Sequence, residues 1–244
     1  MRIDCISTIN ETSGRELAGK TAIVIDALRS TSVIVTALER GARSVAPIDT
    51  VAAARQLAAP GDVLAGERQC KKIPGFTLGN SPLEFTEAAV GGRRVVLTTT
   101  NGTRGIQKAA KAATILAGSF LNASACAKAA LRLNRDVVLI CSGTKDAFAL
   151  EDGLCAGLIA KEMTERAAGR DVRIDDLTSA LIGAYRDAEG RLEEALLGSD
   201  TGGRLVSLGC REDVAFCARL NVFELAPVMA GGEMRPLELR QGLF

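Results

Sequence analysis

The apolar run Thr21-Ala-Ile-Val-Ile25 ends in an acid, Asp26, and the residues after it bring Arg29, Ser30, Thr31 and Ser32. An aspartate at the carboxyl end of a strand can hold a metal ion, and an arginine nearby can grip a phosphate through two parallel hydrogen bonds. An ion pair at a helix start would use the same two residues without a ligand. A second segment, Gly66-Glu67-Arg68, leads through Lys71-Lys72 to Gly75-Phe-Thr-Leu-Gly79-Asn80-Ser81-Pro82. Gly, Pro and Asn are first of all turn residues, and irregular loops are also where binding groups are placed. A third, Thr98-Thr99-Thr100-Asn101-Gly102-Thr103, follows the apolar Val95-Val-Leu97 and precedes a predicted helix. Hydroxyls and a glycine at a helix N-terminus can hold an anion, and capping accounts for only one or two of these positions. Two more apolar runs end likewise, in Gly118-Ser119-Phe-Leu-Asn122 and in Ser142-Gly143-Thr144, the latter leading to Glu151-Asp152. In a parallel sheet the carboxyl ends of neighbouring strands share an edge, so these turns are expected to converge on one crevice.

Other chemistries are excluded. The chain has no histidine, which removes a Ser-His-Asp triad, a Cys-His pair and a phosphohistidine. Its seven cysteines are odd in number and scattered without a Cys-x-x-Cys pair, so they read as reduced, mostly buried residues and not as a zinc site. Gly14-Arg-Glu-Leu-Ala-Gly19-Lys20-Thr21 fits the P-loop pattern, but Lys20 runs directly into a β-branched segment instead of opening a helix, so a turn feeding a strand is the better reading. Cys126 and Arg132 have the spacing of thiolate phosphatases, with no glycine between them to wrap an oxyanion. Asp26-Ala-Leu lacks the Asp-x-Asp of the commonest aspartyl-phosphate enzymes.

The elements that must position these residues follow an α/β pattern. Predicted strands are Ile3–Ser7, Thr21–Ile25, Ser44–Ile48, Asp62–Ala65, Arg94–Leu97, Thr114–Leu116 and Val137–Cys141. Predicted helices are Ser32–Arg40, Thr50–Leu57, Gly105–Ala112, Ala123–Leu133 and Glu151–Arg166. Beyond Arg166 helices are expected over Asp175–Asp187, Arg191–Leu197 and Arg211–Leu220, then a strand over Val222–Leu225 and a polar tail. With no convincing linker, the expectation is one domain over 1–244: an α/β core over 1–166 and a helical C-terminal subdomain, 167–244, packed on it. At 47% hydrophobic residues and a formal charge of +1 the chain reads as an ordinary globular protein, with no basic arm for nucleic acid and no apolar run or signal-like N-terminus pointing to a membrane. A cytoplasmic location and small-molecule partners are expected.

The chain closely resembles the 2-phosphosulfolactate phosphatases (ComB-like). The resemblance rests on Val24-Ile-Asp26-Ala-Leu-Arg29-Ser-Thr-Ser, Gly66-Glu67-Arg68, Gly75-Phe-x-Leu-Gly79-Asn80-Ser81-Pro82, Leu97-Thr-Thr-Thr-Asn101-Gly102-Thr103, Gly118-Ser119-Phe-Leu-Asn122 and Glu151-Asp152, in the family's order. Leu208-Gly-x-x-x-Asp213 and Val222-Phe-Glu-Leu-Ala-Pro227 look like its ending. The resemblance implies a mostly parallel central sheet with flanking helices in a ComB-like fold, a Mg²⁺ requirement, and hydrolysis of (R)-2-phospho-3-sulfolactate to 3-sulfolactate, a step on one route to coenzyme M. One departure is visible: Asp200-Thr201-Gly202 stands where a His-Gly or His-Ala pair is expected.

Taken together, Asp26, Glu67, Glu151 and Asp152 are the candidate Mg²⁺ ligands or general base, since Mg²⁺ takes oxygen ligands and keeps waters. Arg29 and the Thr98, Thr99, Thr100, Asn101, Gly102, Thr103 turn are expected to hold the phosphoryl oxygens, with Ser119 and Asn122 as supplementary donors. Arg68, Asn80 and Ser81 are assigned to the sulfonate or carboxylate end of a small anionic phosphate ester. Attack by water or by Asp26 remain open, with water favoured because Asp-x-Asp is missing. A phosphatase for another phosphorylated 2-hydroxy acid, and a noncatalytic anion-binding relative, are the alternatives; a homodimer is expected by analogy.

Overall fold

The computed structural model describes every residue except Ser13, Asp146, Ala168 and 238–244. In chain order it runs β1 (Arg2–Ile6), α1 (Gly14–Leu17), β2 (Thr21–Ile25), α2 (Ser30–Glu39), β3 (Ser44–Pro47), α3 (Val51–Leu57), β4 (Val63–Arg68), β5 (Lys71–Lys72), α4 (Glu87–Val90), β6 (Arg94–Thr98), α5 (Gly102–Lys108), β7 (Thr114–Gly118), α6 (Ala123–Leu133) and β8 (Val137–Cys141). It continues with α7 (Leu150–Arg166), β9 (Arg173–Ile174), α8 (Asp176–Ala188), α9 (Leu192–Leu197), α10 (Asp200–Ser207), α11 (Arg211–Cys217), β10 (Pro227–Ala230) and β11 (Glu233–Pro236).

The strands form one sheet in the order β5-β4-β6-β3-β11-β10-β7-β2-β8-β1-β9. Two parallel sets, β4-β6-β3 and β7-β2-β8-β1-β9, account for most of it. The antiparallel hairpin β10-β11 joins them, pairing Val228 with Leu116 and Met234 with Val45. Following the pairings through the hairpin, the two sets run in opposite directions. The site turns therefore do not meet along one edge of a continuous parallel sheet, as the sequence reading expected. Each join is a single register pair, and α2 packs across β3, β7, β10 and β11. The turn after β2 touches the turn after β6, with Ser30 Oγ 3.1 Å from Thr99 Oγ1.

Central strands are buried on both sides, which is why they read as continuous apolar runs. Strand alternation sends Ile23 and Ile25 toward α6, α7 and α8, and Ala22 and Val24 toward α2 and α5. Asp175, Ser199 and Thr50 cap α8, α10 and α3 by accepting hydrogen bonds from Thr178 N (2.7 Å), Gly202 N (3.0 Å) and Ala53 N (3.1 Å). No helix among the described residues is long and apolar enough to cross a membrane.

The C-terminal end departs from expectation. Residues 222–225 are not a strand; the pairing begins at Pro227, and Gly231 and Gly232, both at positive φ (59° and 83°), make the two-residue hairpin turn. Helix α10 is also unexpected, because Gly202-Gly203 depresses helix propensity. Gly202 is there for space: a Cβ would sit 1.8 Å from the Leu196 carbonyl oxygen.

Gly66 is the tightest point between β4 and β6. Its φ is +149° and an added Cβ would lie 2.0 Å from Thr98 O. Gly66→Ala is expected to destabilise the fold by about 2 kcal/mol or more, read as a lower urea midpoint at unchanged slope; a midpoint equal to wild type would show that the strands part at no cost.

Candidate active site

Asp26 is buried where β2 turns into α2. Its backbone N–H donates to Thr31 Oγ1 (3.0 Å), and its carbonyl accepts from Thr31 N and Oγ1 at 3.0 and 2.9 Å, which closes the turn. Its carboxylate accepts from Ser30 N at 3.1 Å and from the Gly102 amide. Gly102 can donate only because it has no side chain: a Cβ would stand 2.4 Å from Ser30 Oγ and 2.7 Å from Asp26 Oδ2. Burial, then repulsion by Glu67 and Glu151, pushes Asp26 up to about 7 against the pull of these two amides.

Glu67, at the end of β4, reaches the turn after β6. Its Oε1 accepts from Thr100 N and Thr100 Oγ1, both at 2.8 Å, and its Oε2 from Cys70 N at 2.7 Å. The neighbouring acids of α7 part company. Asp152 turns inward, taking Ala27 N at 2.8 Å and Gly143 N at 2.9 Å, so it clips the end of β2 to the end of β8. Burial first, then Asp26 and Glu151, hold Asp152 well above the carboxylate range. Glu151 is buried too, accepts no hydrogen bond among the described residues, and lines the cleft.

That cleft has a volume of about 1280 Å³, with Asp26, Arg29, Glu67, Asn80, Thr100, Asn101 and Glu151 along it. Arg29 follows a cis Leu28–Arg29 peptide and is buried. Its Nη1 pairs with Asp213 Oδ2, and its Nη2 lies 3.4 Å from Cys70 O, leaving other N–H groups for an oxyanion. Burial opposes its charge, and Asp213 more than offsets this. The second oxygen of Asp213 takes Ser81 Oγ at 2.5 Å.

Several expected ligand-binding residues instead build walls. Asp152 does not line the cleft, because its carboxylate is used in joining two strands. Ser119 and Asn122 form a capping box after β7, with Asn122 Nδ2 donating to Leu225 O at 2.9 Å and to Ala117 O at 3.2 Å. Arg68 is spent on Asp49 O, Thr98 Oγ1 and Glu67 O, Ser81 on Asp213, and Thr99 and Thr103 on each other's backbone. Gly102 serves by its amide alone. Cys126 is plain helix, its thiol pushed up to about 12 by burial, and Lys20 precedes β2 without opening a helix.

Sequence reasoning missed Arg104, Lys145 and Arg204, which line the same cleft, and Asp213, which holds Arg29. Asp213 carried a signal, as the last residue of Leu208-Gly-x-x-x-Asp213. Arg104 and Lys145 each follow directly on a turn that the sequence singles out, and Arg204 lies on a helix that carries no motif. Among the described residues no three acidic or cysteine side chains are grouped closely enough to hold one ion by themselves.

The family model described as 2-phosphosulpholactate phosphatase matches residues 6–232. The chain belongs to the 2-phosphosulfolactate phosphatase family. It is 43% identical to the probable 2-phosphosulfolactate phosphatase of Symbiobacterium thermophilum, covering 94% of this chain and 100% of that protein. Proteins of the same description from Caldanaerobacter subterraneus subsp. tengcongensis and Thermotoga maritima are 38% and 40% identical, over 96% and 87% of this chain and 98% and 90% of theirs. In this member of the phosphatase family, Asp200 and Thr201, where a histidine was expected, line the cleft.

Two substitutions separate holding from building. Asp213→Asn removes the charge from a buried pair, so stability should fall by about 3 kcal/mol and inorganic phosphate binding should weaken roughly tenfold as Arg29 loses its orientation. Asn122→Ala should cost about 2 kcal/mol through unpaired carbonyls, with phosphate affinity unchanged. Calorimetric titration and urea unfolding read both; phosphate affinity lost in Asn122→Ala and kept in Asp213→Asn would reverse the assignment.

Proposed function

We propose that this chain is a phosphatase hydrolysing 2-phosphosulfolactate, the ester in its relatives' names, with Mg²⁺ as cofactor. The observation that carries the reading is the side-by-side placement in one cleft of repelling carboxylates and a buried arginine with unused N–H groups. Pure anion binding has no use for Asp26, Glu67 and Glu151, since each repels the ligand. A metal-dependent phosphatase does, because a divalent ion offsets their mutual repulsion.

The donor set fits Mg²⁺. It is all oxygen, and with no three-acid cage among the described residues, one or two carboxylates would share the ion with waters and a substrate phosphate. Asp26 and Glu151 would hold it: Asp26 is the acid repelled by both neighbours, and Glu151 has oxygens without hydrogen bonds. When bound, Mg²⁺ would neutralise charge on the phosphoryl oxygens.

The chain's own groups do the rest. Arg29, held at one end by Asp213, orients the phosphoryl group through its remaining N–H groups. Glu67, kept in place by Thr100 and Cys70, accepts the proton of the attacking water. Burial of Asp26, Arg29, Glu67 and Glu151 strengthens each of these interactions relative to open water.

Phosphate release from 2-phosphosulfolactate should vanish in EDTA and return with Mg²⁺, and Asp26→Asn and Glu151→Gln should each lower kcat by roughly 100-fold or more. Turnover that persists in EDTA would exclude the metal; inactivity of the wild type on every phosphorylated 2-hydroxy acid would favour a binding protein. In a single turnover in ¹⁸O water, label should appear in phosphate and not in the Asp26 carboxylate. Label in the protein would make Asp26 the nucleophile.

A further inference from the structure

Arg29 and the floor carboxylates account for one end of the cleft, and two cations on its wall are unused by that chemistry. Lys145, in the turn after β8, is exposed and has no ion-pair or hydrogen-bond partner among the described residues. Arg204, on α10, donates to Gln69 O at 3.3 Å and pairs with no carboxylate there. Thr144 Oγ1 and Thr201 Oγ1 are 3.2 Å apart, tying the Lys145 turn to the first turn of α10. Arg204 stands three residues beyond Thr201, on the same helix face. Lys145 and Arg204 thus border one stretch of cleft.

Other groups on this wall bear on the reading. Arg104 stands close to Asp49, with Arg68, so its charge is engaged elsewhere. Asp200 supplies one opposing charge at the start of α10. Arg204 donates to Gln69 O and Arg29 reaches Cys70 O, so the two guanidiniums meet adjacent residues of one turn. Asn80 lines the cleft and is only 6% exposed; its unpartnered Oδ1 is buried away from solvent and, as an acceptor, offers nothing to an anion.

We infer that Lys145 and Arg204 form the subsite for a second strong anion on the substrate, its sulfonate, and so select phosphorylated 2-hydroxy acids with an anionic group on the third carbon; this rests on the phosphatase reading above. A guanidinium can meet two of the three oxygens of a tetrahedral sulfonate with parallel N–H groups, and an ammonium adds a point charge. With Arg29 assigned to the phosphoryl group, the contribution of Lys145 and Arg204 is to specificity.

The test uses Lys145→Met, Arg204→Met and the double variant, all at positions outside the core. Two esters are compared: 2-phospho-3-sulfolactate, and 2-phospholactate, which has a methyl in place of the sulfomethyl group. The double variant should lose roughly 30-fold in kcat/KM on the sulfonated ester and stay within roughly threefold on phospholactate. Equal loss on both esters, or none on either, would overturn the subsite. Calorimetric titration with 3-sulfolactate and with lactate gives a readout independent of turnover. Wild type should bind sulfolactate more tightly and the double variant should bind the two alike; a preference retained in the variant, or absent from wild type, refutes the inference. Wild type inactive on both esters would refute the phosphatase reading, and the titration would still decide the subsite.

Discussion

Four carboxylates gathered under one cleft repel one another, and the rest of the structure has to hold them there. The means is the backbone. Asp26 leans on the amides of Ser30 and Gly102, Glu67 on those of Thr100 and Cys70, and Asp152 on those of Ala27 and Gly143. Every one of these amides lies in a turn at a strand end or at a helix N-terminus, where N–H groups have no partner within the element. Turn geometry and acid placement are thus one constraint. Gly102 and Gly143 show its cost, since a Cβ at either would collide, with Ser30 Oγ at 2.4 Å and with Ala147 O at 2.4 Å.

The C-terminal third is bound into this arrangement by specific contacts. Asp213 on α11 holds Arg29 and Ser81, Leu225 supplies a carbonyl to Asn122, and Glu233 on β11 pairs with Arg94 at 2.7 Å. The β10-β11 hairpin lies between the two parallel sets, so the sheet itself is completed only by the last described residues. A chain ordered this way must close long-range contacts before the cleft exists, which favours cooperative folding of core and C-terminal segments together.

What the sequence makes legible is what periodicity and strand-end chemistry encode. Thr21–Ile25 and Val137–Cys141 are strands at the expected bounds because continuous β-branched runs buried on both faces have no helical reading of that length. Asp26, Arg29, Glu67, Asn80, Thr100, Asn101 and Glu151 share one cleft, as turns between such strands and helices suggest. The hairpin is illegible because β10 and β11 are short, half-exposed and chosen by partners far away in the chain. Lys145 and Arg204 are illegible for a related reason: a lone cation in a polar turn or on an exposed helix face has the same local pattern whether or not a cleft lies beneath it.

The hardest distinctions fall between adjacent residues of the same type. Glu151 and Asp152 are both acids in the first turn of α7, yet one faces the cleft and the other clips two strands. Successive helical side chains diverge by about 100°, so neighbours necessarily serve different sides, and residue type cannot say which is which. Thr98 and Thr100 repeat the case at the end of β6. Thr98 braces Arg68 while Thr100 presents its amide and hydroxyl to Glu67. A motif of acids or threonines therefore contains both the groups that can meet a ligand and the groups that aim them. Burying Asp152 with both oxygens satisfied fixes the start of α7 against β2 and β8, and that fixed start is what lets Glu151, with none satisfied, stand in the cleft beside Asp26.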